Sequence, residues 1–295
     1  MQPAQHHLVF EAIGTLWSID IFTSKPSFDI AQLDTQLHTR IAQFDTDYSR
    51  FRSDSLVMKM AHQPGKYTLP ADAQPLFDLY FKLYTLSEGA FTPLIGNLLD
   101  QTGYDATYSF ESLPAEEIQT VPRWENTLIY AFPHLEMLQP AILDFGAAGK
   151  GYLIDVIAEM LRQNDCQDFT IDGGGDIFHA TVSSSDLEIG LENPLNTKEV
   201  IGTVAIHNQS LCASAGNRRK WLKYHHILNP YTKTSPTTVI ASWVVAPTAL
   251  VADAIATALF LVPLSKLKQI FEFEHAVLTA DQRLHYSDNF RVKLY

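Results

Sequence analysis

"LDFGAAGKGYLID", Leu143 to Asp155, sets three glycines and two alanines around a single lysine and runs straight into an apolar, helix-like segment. Its reading separates two kinds of fold. A phosphate-binding P-loop requires Gly-x-x-x-x-Gly-Lys followed by Ser or Thr, between a strand and a helix. Here only Ala147 and Ala148 separate Gly146 from Gly149, and Gly151 follows Lys150, so the magnesium-binding hydroxyl is missing. The dinucleotide fingerprint Gly-x-Gly-x-x-Gly fails as well, because Ile154 stands where its last glycine belongs. The physical parts of an anion site remain: small residues that let backbone N–H groups approach, a lysine charge and a helix N-terminus. A tight strand-to-helix turn with a solvated lysine uses the same residues, and the loop alone does not choose between them.

Working outward, short β-rich runs follow one another from Leu128 onward: LIYAF, AILDF, DFTID, IFHATV, LEIGL, VIGTVAI and VIASWVVA. Two helices interrupt them, over Gly151–Arg162 and Ala249–Leu261. Upstream, Ile30, Leu33, Leu37, Ile41 and Phe44 recur at helical spacing, with Asp29 placed to start that helix. A second helix is expected from about Ala71 to Ser87, closed by Gly89. Leu8 to Phe22 alternates and reads as a strand with Gly14 as a bulge. Residues 100–127 carry turn-formers without periodicity. Helices cluster in the first half and strands in the second, which predicts an α+β fold with mostly antiparallel sheets rather than alternating βαβ units. One domain over 1–295 is expected, with a helical or irregular excursion at about 70–127.

The 295 residues carry 21 basic and 33 acidic side chains, a net charge of −12, which argues against nucleic acid or an anionic membrane as a general partner. Bound anions then need local cations, a metal or helix N-termini. The two cysteines, Cys166 and Cys212, have no metal-type spacing and point to a reducing compartment. The first residues carry no basic and apolar signal pattern, so the expectation is cytoplasmic; a preceding segment would change that to periplasmic or membrane-anchored. The most apolar stretch, Thr248 to Val262, is bracketed by Pro247 and Pro263 and contains Asp253. Its length of about 22 Å falls short of the roughly 30 Å hydrocarbon core, so it is read as a buried helix and not a membrane span.

Asp253 is the second chemical signal. A lone carboxylate on an apolar helix is costly to bury without a partner. Thr257 lies four residues on, so the two oxygens share a face. They suit a hard cation such as magnesium, or else a carboxylate paired with a basic core residue and a threonine bonded to its own helix. "CASAGNRRKWLKYHHILNP", residues 212–230, adds Arg218, Arg219, Lys220 and Lys223 to an acidic chain and leads through His225-His226 into an Asn-Pro turn. A histidine here is placed either to move a proton near neutral pH or to pack in a strand beside a basic face. "IDGGGDIF", residues 171–178, offers three glycines for close backbone approach or for a plain turn.

These pieces occur in one order: the glycine-lysine loop, the Gly-Gly-Asp turn, Ser-x-Gly with basic residues, His-Ile-x-x-Pro, and Ala-Asp-Ala-x-Ala-Thr-Ala. In that order the chain resembles the FAD:protein FMN transferase (ApbE) family over nearly its whole length. "IGTLWSI" at 13–19 is similar to the family's Met-Gly-Thr strand, "YSRFRSDS" at 48–55 to its Ser-x-Tyr-x-x-x-Ser segment, and "GAFTPLIGNLL" at 89–99 to its Gly-x-Phe-Asp-Pro-Thr stretch.

The resemblance implies a flavin-binding fold related to the tunnelling fold. It also implies a magnesium-dependent reaction in which FMN passes from FAD to a threonine of an acceptor flavoprotein and AMP leaves. Carried over by position, it implies metal ligation by Asp253, Thr257 and the Ala147 carbonyl. Asp144 and Lys150 contact FAD in that reading, while Ile13, Phe51, Ala90, Phe91 and Thr92 line the flavin or adenosine pocket. His226 falls beside the reacting phosphate, and His226 and Asp253 are the two candidates to take a proton. The chain departs from the family at Ile13 for methionine, Phe51 for tyrosine, Thr92 for aspartate, Leu94 for threonine and Asn229 for aspartate. Lys233 stands near the usual glycine of the next turn. A non-catalytic FAD-binding protein and an FAD pyrophosphatase yielding FMN and AMP are the alternatives. No copy of the family's own acceptor pattern is evident, so self-modification is not expected.

Overall fold

A two-residue turn at Ile13-Gly14 begins the architecture. In the computed structural model, which describes residues 4–25 and 28–295, the stretch read as one strand is a hairpin. Strand β1 (Ala4–Ala12) runs against β2 (Thr15–Thr23), with Ala12 opposite Thr15. Gly14 is therefore not a bulge. Both turn residues take left-handed conformations, φ 43° at Ile13 and 76° at Gly14, as a tight hairpin of this hand requires. Across the two-residue turn the inward positions shift by one, from Leu8, Phe10 and Ala12 to Trp17, Ile19 and Ile21, the same phase shift a one-residue bulge would give.

Six further strands extend this hairpin: β3 (Asp168–Gly173), β4 (Ile177–Ala180), β5 (Gln209–Ala215), β6 (Val239–Ala246), β7 (Glu274–Thr279) and β8 (Leu284–Tyr286). The eight stand in chain order, and every neighbouring pair is antiparallel. This is the mostly antiparallel α+β fold that the segregation of helices and strands predicts. The sequence reading missed β5, whose small and polar residues carry little strand signal, and the last two strands.

Four longer helices hang between the strands: α1 (Ile30–Tyr48), α2 (Gln74–Leu86), α3 (Gly149–Gln163) and α4 (Ala249–Ala258). Asp29 caps α1, accepting from the N–H groups of Ala31 and Gln32. α2 begins at Gln74 rather than Ala71, with Pro75 in its first turn, where a missing N–H costs nothing. α4 ends at Ala258, short of the expected Leu261. The excursion holds α2, the helix Gly96–Gln101 and the short helix Trp124–Thr127; residues 102–123 are without helix or strand.

AILDF is not a strand. Its backbone N–H groups bond into the 89–99 segment, Asp144 to the Pro93 carbonyl at 2.7 Å and Ile142 to Asn97 Oδ1 at 2.8 Å.

The two faces of the sheet explain why β6 is apolar at every position but Ser242, whose hydroxyl donates to the Ala256 carbonyl at 2.6 Å. Val244 and Ala246 face the main core, built from α1–α4 with Trp17, Ile19, Ile21, Phe169 and Ile171. Ala241, Trp243 and Val245 face a second core, closed by a three-stranded sheet of Leu187–Glu192, Val200–Ile206 and Val292–Leu294. Covered on both sides, β6 has no solvent face to call for alternating polar residues. Among the described residues no helix is long and apolar enough to cross a membrane. Cys166 and Cys212 are both free and buried.

Candidate active site

Helices α3 and α4, which carry the two most distinctive motifs, cross in direct contact. A methyl group at Gly151 would lie 2.2 Å from the Ala249 carbonyl oxygen and 2.7 Å from the Asp253 Cβ, so only glycine permits this approach. The Gly151 N–H, in the first turn of α3, donates to Asp253 Oδ2 at 2.8 Å. One turn on, the Asp155 carboxylate accepts the N–H groups of Ala249 and Leu250 at 2.8 and 2.9 Å, closing the first turn of α4. Each helix thus satisfies the other's unpaired N-terminal donors.

Asp253 is 5% exposed, yet no Lys, Arg or His among the described residues lies within ion-pair distance of it. The reading in which it pairs with a basic core residue is thereby overturned. Burial first, and then the negative charge of Asp176, push its carboxyl up to about 7; Lys150 and the Gly151 N–H pull the other way. Thr257, one turn along the same face, has its hydroxyl 3.1 Å from that of Ser214.

Asp176 follows the three-glycine turn between β3 and β4. Gly174 has φ 71°, and a Cβ there would meet the Thr15 hydroxyl at 2.1 Å. The turn presses the β1–β2 hairpin against the site and delivers Asp176 inward. Its Oδ1 accepts the Ala213 N–H at 3.0 Å, and its Oδ2 pairs with the Lys150 ammonium. Lys150 is therefore ion-paired inside the fold and not a solvated turn lysine. Burial alone would lower its pKa, but Asp176 and Asp253 together raise it.

A cleft of three connected lobes surrounds these groups, and all three share Gly146 and Arg219. The polar lobe, about 630 Å³, holds Lys150, Asp176, Asp253, Thr257 and His226. An aromatic lobe of about 450 Å³ is lined by Ile13, Phe51, Tyr104, Tyr108, Asp144 and Lys150. The inner lobe is smaller, about 80 Å³, with Ala90, Phe91, Thr92, Ala147, His226 and Thr257 on its walls. Every candidate residue from the sequence thus borders one cleft, although the segments that supply them lie far apart in the chain.

Asp144 stands where the aromatic and inner lobes meet. Its Oδ1 accepts the Gly146 N–H at 2.8 Å, and its Oδ2 accepts from Arg50 Nε at 2.6 Å. Arg50, with only 2% of its side chain exposed, also reaches Asp100 at 2.6 Å and the Tyr104 carbonyl at 2.7 Å. Its guanidinium lies 4.2 Å from the centre of the Phe51 ring, whose other neighbour, Tyr108, stacks nearly parallel at 5.4 Å. Phe51 therefore presents a fixed aromatic plane. Thr92 is committed locally: its hydroxyl caps the turn at Pro93–Ile95 by accepting the Leu94 N–H at 3.2 Å.

His226 differs from its expectation. Its Nδ1 lies 3.2 Å from the Arg218 carbonyl; since a carbonyl only accepts, Nδ1 carries the proton and Nε2 holds the free lone pair. Burial, and then the positive charge of Arg219, hold the ring at about 3, so it is neutral and does not titrate near pH 7. Neighbouring His225 is buried, with Nε2 at 3.0 Å from the Pro236 carbonyl, and belongs to the packing.

Sequence reasoning missed Asp176, Arg50 and Arg219 as site residues. An acid closing the glycine turn was a usable signal for Asp176. Arg50 lay inside the quoted 48–55 segment but without a visible partner. Arg219, exposed and at the junction of all three lobes, was noted only as local charge.

Three or more His, Cys, Asp or Glu side chains gathered to hold a metal occur nowhere among the described residues. The donors present are of another kind. Thr257 borders both the lobe of Asp253 and the lobe of Ala147, so a carboxylate and a hydroxyl on one face of α4 lie beside the segment that carries the Ala147 carbonyl. Such a sparse oxygen set, completed by water and phosphate, suits magnesium. The buried, cation-free carboxylate of Asp253 fits that group.

Comparison with known proteins identifies the family and the fold. The sequence pattern of the ApbE family matches residues 13–280. A protein of Treponema pallidum named FAD:protein FMN transferase is 26% identical over 282 residues, covering 86% of this chain and 78% of its own. Among solved structures, the ApbE protein of Thermotoga maritima superposes with a TM-score of 0.84 at 20% identity, covering 98% of this chain and 99% of its own. The flavin transferase ApbE of Vibrio cholerae gives 0.80 at 19% identity, covering 98% of both chains. The match over residues 13–280 takes in every element that builds the cleft, and the chain belongs to the ApbE family.

Proposed function

We propose that the protein is an FAD:protein FMN transferase, moving FMN from FAD to a threonine of an acceptor flavoprotein and releasing AMP. The observation that carries this reading is the connected cleft. Two lobes rich in apolar side chains, one of them also lined by Phe91, share Phe51, Asp144 and Gly146 beside a polar lobe. That shape suits a ligand with two ring systems joined by a charged linker. The relative from Treponema pallidum carries the corresponding name.

In this reading Asp253, Thr257 and the Ala147 carbonyl would hold a magnesium ion, and the ion would supply positive charge to offset that of the diphosphate. Arg219 adds a second cation where the lobes meet. The acceptor hydroxyl oxygen bonds to the FMN phosphorus, and the bond from that phosphorus to the bridging oxygen breaks. AMP leaves with the bridging oxygen. The hydroxyl proton goes to His226 Nε2, the lone pair left free by the Nδ1–Arg218 bond. The diphosphate's charge opposes that of Arg219 and raises the ring's affinity for a proton once FAD is bound.

The test combines protein, FAD, magnesium and an acceptor bearing a threonine after Ser/Thr-Gly-Ala, following AMP and the acceptor's intact mass. AMP together with an acceptor heavier by one FMN is the expected result. AMP with free FMN makes the protein a pyrophosphatase, and FAD retained without AMP makes it a flavin-binding protein. His226→Asn, which keeps a donor for the Arg218 carbonyl, should bind FAD within about twofold of wild type and release AMP at least ~100-fold more slowly.

A further inference from the structure

Tyr80 lies on α2, 1% exposed, against Phe91 and Phe145 at ring-centre distances of 5.3 and 5.2 Å. Its ring is fully packed, yet its buried hydroxyl donates to no acceptor, and the Ala147 backbone N–H beside it can only donate. Tyr80 borders the inner lobe together with Asp144, Ala147 and Thr257. A phenylalanine would fill the same aromatic pocket without the cost of desolvating an unpaired hydroxyl. Native folds satisfy nearly all such groups, so an orphan at a cleft wall points to an acceptor that arrives with a ligand.

The acceptor's character follows from the surroundings. Burial, and then the negative charges of Asp144 and Asp253, hold the phenol far above its ordinary pKa, so it is a neutral O–H donor. The same two carboxylates leave the hydroxyl in a negative field. A ligand oxygen close to it is favoured when it comes with a compensating cation.

We propose that the Tyr80 hydroxyl is a positioning group that donates to an oxygen of the bound cation–diphosphate unit. The inference rests on the FAD reading above. That oxygen belongs either to a phosphoryl group or to a water of the magnesium ion; both are hydrogen-bond acceptors carried in by the same unit.

Tyr80→Phe separates this role from a structural one, because the two predict opposite signs. Removing an unpaired buried hydroxyl should raise the melting temperature of the protein measured with neither FAD nor magnesium. At the same time FAD affinity in magnesium should fall about tenfold, the loss of one hydrogen bond to a charged partner. Riboflavin, which has no phosphate, should bind both proteins equally. Titration of FAD in EDTA locates the acceptor: a loss that persists without the cation assigns the phosphoryl oxygen, and one that vanishes assigns the metal-bound water. Unchanged FAD affinity overturns the proposal, as does an equal loss for riboflavin and FAD. If the wild-type protein itself fails to bind FAD, the functional reading falls, and this inference with it.

Discussion

Asp253 accepts one N–H, makes no direct ion pair among the described residues, and sits in the field of Asp176, offset in part by Lys150. Its raised pKa has two consequences of opposite sign. A carboxyl held at about 7 in the fold, against 3.8 ordinarily, favours the fold while protonated. That contribution is complete below about pH 4 and disappears as pH rises through about 7. Asp253→Asn should therefore raise the melting temperature of the magnesium-free protein at pH 8 and change it little at pH 4. Cation binding runs the other way, since it requires the ionised form. Magnesium affinity measured calorimetrically with FAD present should weaken about tenfold for each pH unit below 7 and level off above it. The asparagine variant should lose both the affinity and its slope; equal affinities for the two proteins would remove Asp253 from the metal site.

Between the elements, the α3–α4 crossing holds the motifs in register. Gly151 lets the helices touch, Asp155 receives the first N–H groups of α4, and the Gly151 N–H meets Asp253 from the first turn of α3. Gly151→Ala must push the helices apart, because the methyl group meets backbone, which cannot rotate away. Overpacking of this kind costs about 1–3 kcal/mol, read as a lower urea midpoint at unchanged slope. The larger effect should fall on the site: moving α4, with both Asp253 and Thr257, away from Ala147 should weaken magnesium more than it lowers stability. A Gly151→Ala protein with wild-type magnesium affinity would show that the seam does not set the metal geometry.

Across the whole molecule, the antiparallel sheet acts as a frame on which remote segments converge. The β1–β2 hairpin brings Ile13, the segment after α1 brings Phe51, the excursion brings 90–92, the β3–β4 turn brings Asp176, and the connection after β6 brings Asp253. Ile13, a β-branched residue at φ 43°, pays conformational strain where it borders the aromatic lobe. If the aromatic and inner lobes hold the two ends of one ligand, riboflavin and AMP should each displace FAD yet bind together. Competition titrations followed by flavin fluorescence and by calorimetry check this, and mutual exclusion of riboflavin and AMP would contradict the two-lobe assignment.

Much of this was legible in the chain because the signals are local. A carboxylate on a wholly apolar helix, a lysine ringed by glycines, and a 3.6-residue period each declare themselves within one turn or two. So the buried helix around Asp253, the start of α1 at Asp29 and the antiparallel α+β character follow from residues alone. What the chain did not disclose depends on partners distant in sequence. Ile13-Gly14 turns the chain without disturbing the alternation on either side. AILDF has strand composition, but its N–H groups bond to the 89–99 segment instead of a neighbouring strand. Lys150 meets Asp176, Arg50 meets Asp144, and the Tyr80 hydroxyl finds no acceptor, and no local pattern distinguishes these outcomes. His226 is the sharpest case: a solvated histidine would titrate near neutrality, and only burial beside Arg219 makes it neutral there. Protonation and pairing answer to the field of the assembled fold, which is a sum over groups brought together by the sheet and not a property of any segment.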